Sequence, residues 1–303
     1  MKVGVFLDSA NHERFRDVLK SFAKGVEKSG DTPFISTGMY EECDVAVIFG
    51  SWKDRKDRHH VVKNDIIKKA KKFIVLETPI IGRGPVTDIM QDDWYRIGIN
   101  GFLADTGNFN NKNCDDKRWQ KIKKELDVNF LPWRGTSSQI TSKCIQIILQ
   151  LPGDASLNGI DISDWALNCV KEIRKIETNR YIKIRKSQIP REYSEELINI
   201  KEKYGNLEIY DGTKDNIINE LSDTWASVTY SSGFAVDSIL YGVPSITMSP
   251  SSFGYSISSN SINDLSNLKM QNRNQWINNL SYCQWSHEEI EDGLPWNHLK
   301  EVL

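Results

Sequence analysis

Short apolar runs alternate with longer stretches of helical period along most of the chain. In the first half, 2–7, 33–36, 44–50 and 73–77 read as strands, and 12–28, 60–72 and 115–126 as helices. Near-continuous apolar strands separated by helices predict a parallel sheet covered on its faces. Residues Leu131-Pro132-Trp133-Arg134-Gly135 read as a linker. The alternation then restarts, with strands at 144–150, 181–184, 207–210, 225–229 and 245–248 and helices at 162–176, 193–204, 216–221 and 234–241. Two consecutive doubly wound α/β domains are therefore expected, at 1–134 and 135–270. The remainder, 271–303, reads as a helical segment rich in aromatic residues (Trp276, Tyr282, Trp285, Trp296) that docks on something. The Ser/Asn-rich stretch 249–263 reads as a loop.

A length of 303 residues suits two cores of about 150 each. No apolar run approaches the ~18 residues of a membrane span, and the N-terminal MKVGVFLDSANHERF reads as a strand ending at Asp8 rather than a signal peptide. A cytoplasmic protein is expected. The five cysteines (Cys43, Cys114, Cys144, Cys169, Cys283) include no CxxC pair, which suggests neither a disulfide framework nor a zinc site. His59 and His60 lack ligand partners at metal spacing, so no metal site is expected. The net charge of −2 hides an asymmetry: residues 1–150 hold 25 Lys and Arg against 20 Asp and Glu, and the remainder holds 14 against 21. The basic half either meets a polyanion or presents a solvated face.

Ligands of open parallel sheets bind at the carboxyl ends of strands. In the second domain those positions offer Gln150 to Ser156 with Asp154, the cations Arg185 and Lys186, Asp211-Gly212, and Ser231-Ser232-Gly233 at the start of a helix carrying Asp237. A strand that breaks at small hydroxyl residues and enters a helix aims free backbone N–H groups and a positive dipole at one point, which suits a phosphate. Asp237, one turn on, suits the hydroxyls of a ribose. The same residues also fit an ordinary capped βαβ unit, and Asp154 also fits an Asx turn with Ser156. In the first domain the strand ends offer Asp8-Ser9, Gly50-Ser51-Trp52 and Glu77-Thr78-Pro79. The second domain thus looks like a phosphate site and the first like a source of carboxylates.

With these motifs the chain resembles the GT-B glycosyltransferases, two Rossmann-like domains with a C-terminal helix crossing back to the first. Segments 73–84, 97–109, 145–165, 180–186, 230–244 and 272–293 are similar to phage-encoded glycosyltransferases, and the second domain is distantly similar to capsule transferases of the Kdo type, whose Ser-Ser start and helix acid match Ser231, Ser232 and Asp237. One departure stands out: relatives carry Arg-Pro-His-Pro where this chain has Arg185-Lys186-Ser187-Gln188. The resemblance implies a nucleotide-sugar donor, a UDP-sugar first, and leaving-group charge offset by side chains and a helix N-terminus rather than a metal. Arg185, Lys186, Ser231, Ser232 and the Gly233 N–H would hold the diphosphate, Asp237 the ribose, and Gln150, Asp154 and Ser156 the cleft wall. The acceptor-side general base would be Glu77, then Asp8, then Asp105; Glu77 could instead cap its loop or pair with Arg83. Gly82, Arg83 and Gly84 would form a cationic loop beside it. Gln284 and Glu288 would sit on the closing C-terminal helix, with Trp276 and Trp285 as packing residues.

For the acceptor, the loop after 44–50 carries Trp52, Lys53, Arg55, Lys56 and Arg58. Such a loop fits phosphate contacts with duplex DNA. With the phage resemblance, the expected acceptor is a hydroxymethylated base such as hydroxymethylcytosine in phage DNA, modified in the host cytoplasm, with Trp52 stacking on the flipped base or filling its gap. Two alternatives stand beside it: transfer to surface polysaccharide or a small acceptor, and a non-catalytic module binding nucleotide-sugar or nucleic acid.

Overall fold

The computed structural model describes residues 1–82, 93–134, 144–187, 192–212 and 217–303. Arg83 and Gly84 of the expected cationic loop lie outside them. In chain order the elements are β1 (Lys2–Phe6), α1 (Glu13–Lys28), β2 (Thr32–Ser36), β3 (Val45–Phe49), α2 (Arg58–Lys69), β4 (Phe73–Glu77), β5 (Trp94–Ile99) and α3 (Lys117–Glu125). There follow β6 (Cys144–Ile148), α4 (Ile162–Ile176), β7 (Tyr181–Lys186), α5 (Glu195–Ile198), α6 (Ile200–Lys203), β8 (Leu207–Asp211), α7 (Ile217–Ser222), β9 (Thr224–Thr229), α8 (Phe234–Leu240) and β10 (Ser245–Thr247). The chain closes with α9 (Asn274–Ser281), β11 (Gln284–Ser286), α10 (His287–Glu291) and α11 (Leu294–Lys300). It divides into two compact units. The first takes the described residues up to Leu126 and returns for Gln275–Leu303, and the second is Asp127–Asn274.

The first unit is built on a six-stranded sheet of order β11-β5-β4-β3-β1-β2. Its centre is parallel, with Val5 opposite Val47 and Val47 opposite Ile74, and every residue of β3 is buried, as a sheet covered on both faces requires. Helix α1 starts where His12 accepts a hydrogen bond from the Arg14 N–H and buries Val18, Leu19, Phe22, Ala23 and Val26 at helical spacing. The expectation of a purely parallel sheet needs correction. Strand β5 runs antiparallel to β4, with Ile97 opposite Leu76, and β11 runs antiparallel to β5, with Trp285 opposite Tyr95. Helix α2 also ends at Lys69, so Lys71 and Lys72 lie beyond it.

Strand β11 falls within a stretch expected to be wholly helical. Helix stops at Ser281 and resumes at His287, where Ser286 and Glu289 form a capping box. The extended interval lets the Cys283 carbonyl accept the Ile97 N–H (2.9 Å) and places Gln284 and Trp285 in the interior. Arg118, on α3, holds it there. Its guanidinium donates to both Glu289 oxygens (3.0 and 3.1 Å) and to the Ser281 and Gln284 carbonyls, and it stacks 3.7 Å from the Trp285 ring. Burial pushes the Glu289 carboxyl up, but Arg118, Lys121 and the Ser286 N–H more than offset this and hold it below the usual range. At Gly25 the backbone of α1 approaches Ile290 and Gly293 so closely that a Cβ would collide with main-chain atoms.

The second unit holds a five-stranded sheet, all parallel, of order β10-β9-β6-β7-β8. Strand β6 is fully buried between β7 and β9, with Ile147 opposite Ile184 and Val228. Asp161 caps α4 by accepting from the Ser163 and Asp164 N–H groups. The helix expected at 193–204 is two single turns, α5 and α6, broken at Asn199. Leu131 and Arg134 hydrogen-bond to Leu240 and Gly242, and Arg273 lies between the Phe130 and Trp133 rings, 4.4 and 4.2 Å from their centres.

Glu289→Gln leaves Arg118 buried against a neutral group and is expected to lower stability by about 3–5 kcal/mol in urea unfolding at neutral pH. The Glu289 carboxyl titrates lower in the folded chain than its ordinary 4.5. Its contribution is therefore present above that pH and lost as pH falls through the folded value. The stability gap between wild type and variant should narrow below pH 4.5; a gap constant down to pH 3 would refute the charge assignment.

Candidate functional site

At the carboxyl edge of the second unit's sheet, three adjacent strands bring the expected donor residues together. Gln150 follows β6, Arg185 and Lys186 end β7, and Ser231 follows β9. The Gln150 amide donates to Ser156 Oγ (2.7 Å) and Ser231 Oγ (2.9 Å), and its oxygen accepts from the Ser231 N–H (2.9 Å). Ser231 Oγ donates in turn to the Ser156 carbonyl (3.0 Å). Asp154 Oδ1 accepts from both the Ser156 N–H and its hydroxyl, forming the Asx turn. The Tyr193 hydroxyl, absent from the residues expected at the site, accepts from the Ser187 N–H (3.2 Å) and donates to the Gln150 carbonyl (3.3 Å).

The helix start differs from the free N–H cluster expected. The Ser232 N–H donates to Thr229 Oγ1 (3.1 Å), Ser232 Oγ accepts from the Phe234 N–H (3.2 Å), and the Ser231 N–H is held by Gln150. Among the described residues only the Gly233 N–H of this turn has no protein acceptor. Helix α8 is seven residues long, and Asp237 is buried on it. The two cations also differ. Arg185 is buried, donates to Glu220 (2.7 Å), and passes over the Phe234 ring where Gly212 lacks a side chain. Lys186 pairs with Asp211 (3.0 Å), whose side chain is 77% exposed. A pair of the second kind opens at little cost, whereas the first is fixed.

In the first unit, Asp8 follows β1 and is held by Arg58 (3.2 Å) and Arg16 (3.6 Å). Glu77 ends β4 with Oε1 accepting from the Thr78 N–H (2.8 Å), so one oxygen does cap its own loop. Both residues lie at the carboxyl edge. Asp105 does not. Because β5 runs antiparallel, the turn after it lies at the opposite edge, where the Asn100 N–H donates to the Phe73 carbonyl at the start of β4. Gln284, expected on a helix, is a strand residue and fully buried: its oxygen accepts from the Ile80 and Ile81 N–H groups (2.9 Å each). Glu288 is on α10, Trp285 is buried beneath Arg118, and Trp276 lies on α9.

The structure adds Lys63. It lies on α2 between buried Val62 and Ile66, is 3% exposed, and donates to the Phe49 carbonyl (3.2 Å). Burial pushes its ammonium down to about 8, and the Glu77 charge pulls it partly back. Gly50 lies between the two, in the left-handed region at φ 78°. A Cβ there would lie 3.6 Å from Lys63 Nζ and 3.8 Å from Glu77 Oε2. Neighbouring His60 is held neutral at pH 7, pushed down to about 4 first by burial and then by Lys63. A signal existed in the sequence, since position 63 falls on the inward stripe of its helix.

The expected acceptor loop is mixed in character. Arg55 and Lys56 are exposed, and Arg58 is bonded to Asp8 and the Thr37 carbonyl. Trp52 stands edge-on to the Phe73 and Phe102 rings at 5.8 and 5.7 Å, half-buried, so its indole is already packed. Lys53 is half-buried. No helix among the described residues is long and apolar enough to cross a membrane.

No protein-family model and no curated protein sequence matches the chain. Solved structures do. Thermosulfurimonas dismutans KpsC, β-Kdo 2,4 transferase, superposes with TM-score 0.53 at 13% identity, covering 93% of this chain and 90% of that one. The β-Kdo 2,7 transferase of the same protein gives TM-score 0.52 at 13% identity, covering 98% of each. At that identity the likeness is one of fold, and the fold is that of the GT-B class: two Rossmann-like α/β units, as the alternating pattern of the sequence predicts.

Proposed function

We propose that the chain is a nucleotide-sugar-dependent glycosyltransferase that moves a sugar to a hydroxyl of a carbohydrate acceptor. The observation that carries this reading is the convergence of Gln150, Lys186 and the Ser231–Gly233 turn from three adjacent strand ends of the second unit. In sugar transfer the bond between the anomeric carbon and phosphate breaks, and negative charge grows on the leaving diphosphate. Lys186, once released from exposed Asp211, and the open Gly233 N–H supply positive potential where that charge develops. Arg185 holds Glu220 and the first residue of α8, and so shapes the site. Asp237 takes the ribose and Ser231 and Ser232 the phosphates, Gln150 and Asp154 keeping the loop in place. On the acceptor side Glu77 takes the proton of the incoming hydroxyl, and Asp8, already paired with two arginines, orients rather than reacts. UDP-sugars are the first donors to try.

The two named neighbours both transfer Kdo, and this favours a carbohydrate acceptor. A hydroxymethylated base in duplex DNA is the second reading, resting on exposed Arg55 and Lys56; Trp52, pinned by two phenylalanines, is poorly placed to wedge a flipped base. Incubation with a panel of nucleotide-sugars and with glycan or hydroxymethylated duplex acceptors, read by mass spectrometry, tests both. Transfer to neither acceptor class with any donor would leave a binding module.

Lys186→Ala is expected to lower turnover about a hundredfold with an unchanged melting temperature. Arg185→Ala, in contrast, should cost about 3–5 kcal/mol of stability by leaving Glu220 buried alone; equal stability losses in the two variants would refute the division of roles. Glu77→Gln should abolish transfer while calorimetric donor affinity stays near wild type, and full activity in that variant would remove Glu77 from the chemistry. If DNA is the acceptor, neutralising Lys53, Arg55, Lys56 and Arg58 together should weaken duplex binding and flatten its salt dependence by up to about one unit of slope per contact. Absence of salt-sensitive binding in the wild type would eliminate that reading.

A further inference from the structure

We propose that Lys63 is the positioning residue for Glu77: a buried ammonium that faces the carboxylate across Gly50 and fixes the direction of its free oxygen. This deepens the assignment of Glu77 as the acceptor-side base and rests on it. Three observations and one physical constraint converge. Lys63 is 3% exposed, and among the described residues its hydrogen bond is to the Phe49 carbonyl at the end of β3, which uses one of the three N–H bonds of the ammonium. Glu77 Oε1 is tied to Thr78, which leaves Oε2 as the oxygen on the Gly50 side. The missing side chain at Gly50 leaves the interval between the two charges unfilled, and its positive φ reserves the position for glycine. Finally, a buried ammonium without a carboxylate nearby would be expelled or neutralised.

The surroundings make Glu77 the group to which Lys63 answers. On its own helix His59 and His60 are both pushed toward the neutral form, by burial first and by Lys63 next. Ahead of the helix, Arg55 and Asp57 are exposed. From the sheet, Glu77 faces it, and Arg96 stands opposite Glu77 in the β4–β5 register. Among the described residues, Glu77 is the carboxylate whose charge acts on Lys63. Its protonated form is therefore present below about pH 8 and lost above it, so the base should lose its cationic partner, and transfer its rate, as pH rises through that value.

The test uses the full chain labelled with 13C at lysine Cε. One resonance should titrate near pH 8, vanish in Lys63→Arg, and move to lower pH in Glu77→Gln. No movement in Glu77→Gln would overturn the proposal whatever the enzyme's activity. Kinetics provide the second arm, with the nucleotide-sugar the wild type turns over. Lys63→Met should lower kcat about a hundredfold with donor affinity unchanged, while Lys63→Arg should retain most of the rate and lose the alkaline limb near pH 8. Survival of that limb in Lys63→Arg would likewise overturn it. Coupling in the titration with undiminished transfer by Glu77→Gln would instead remove Glu77 from catalysis, so the two failures are distinguishable.

Discussion

The buried pairing of Arg118 with Glu289 is the constraint on which the first unit depends. Glu289 caps α10 through Ser286, Ser286 ends β11, and β11 supplies the strand that covers the edge of β5. One residue earlier in that strand than Trp285, Gln284 satisfies the N–H groups of Ile80 and Ile81 and donates back to the Ile81 carbonyl (3.2 Å). A buried primary amide is costly unless both its ends find partners, and here both do. The loop so held begins three residues after Glu77. The placement of the candidate base is thus set by side chains about two hundred positions away in sequence, and the guanidinium of Arg118, sandwiched against Trp285, is the anchor for all of them.

The candidate donor site follows a different logic. Gln150, Asp154, Ser156 and Ser231 hydrogen-bond to one another, and this network fixes the loop conformation. A diphosphate entering this turn would exchange neutral hydrogen bonds for charge-assisted ones, which are roughly twice as strong, and would pay little ordering entropy. Gly212 serves the same end by a steric route, since any side chain there would evict the Arg185 guanidinium from its seat beside Phe234.

The parallel strands were legible because a strand buried on both faces must be apolar at successive positions, as 45–49 and 144–148 are. The Ser231 turn and Asp237 were legible from the strand–hydroxyl–helix succession. Strands β5 and β11 were not. Trp94-Tyr95-Arg96-Ile97 carries a cation mid-strand, and Gln284–Ser286 is three residues long and owes its form to a partner far away in sequence, which no local periodicity records. Asp105 was misplaced for the same reason, because the direction of β5 decides which edge its turn reaches. Lys63 was hidden by residue type: a lysine is read as solvated unless its helical phase is checked against the neighbours that bury it.

Among the described residues the second unit lies in one stretch of sequence, Asp127–Asn274, inserted in a discontinuous first one, and this sets an order of events during synthesis. When Asn274 leaves the ribosome, all five strands of the second sheet have been made, whereas the first sheet still has β5 as an open edge. That edge, with buried-type residues Trp94, Tyr95, Ile97 and Ile99, waits for a strand made nearly two hundred residues later. Pairing at such separation is slow and leaves an unprotected strand in the nascent chain. The first unit is accordingly the part of the molecule exposed to misassembly, and premature termination before Gln284 would leave β5 without the strand that covers it.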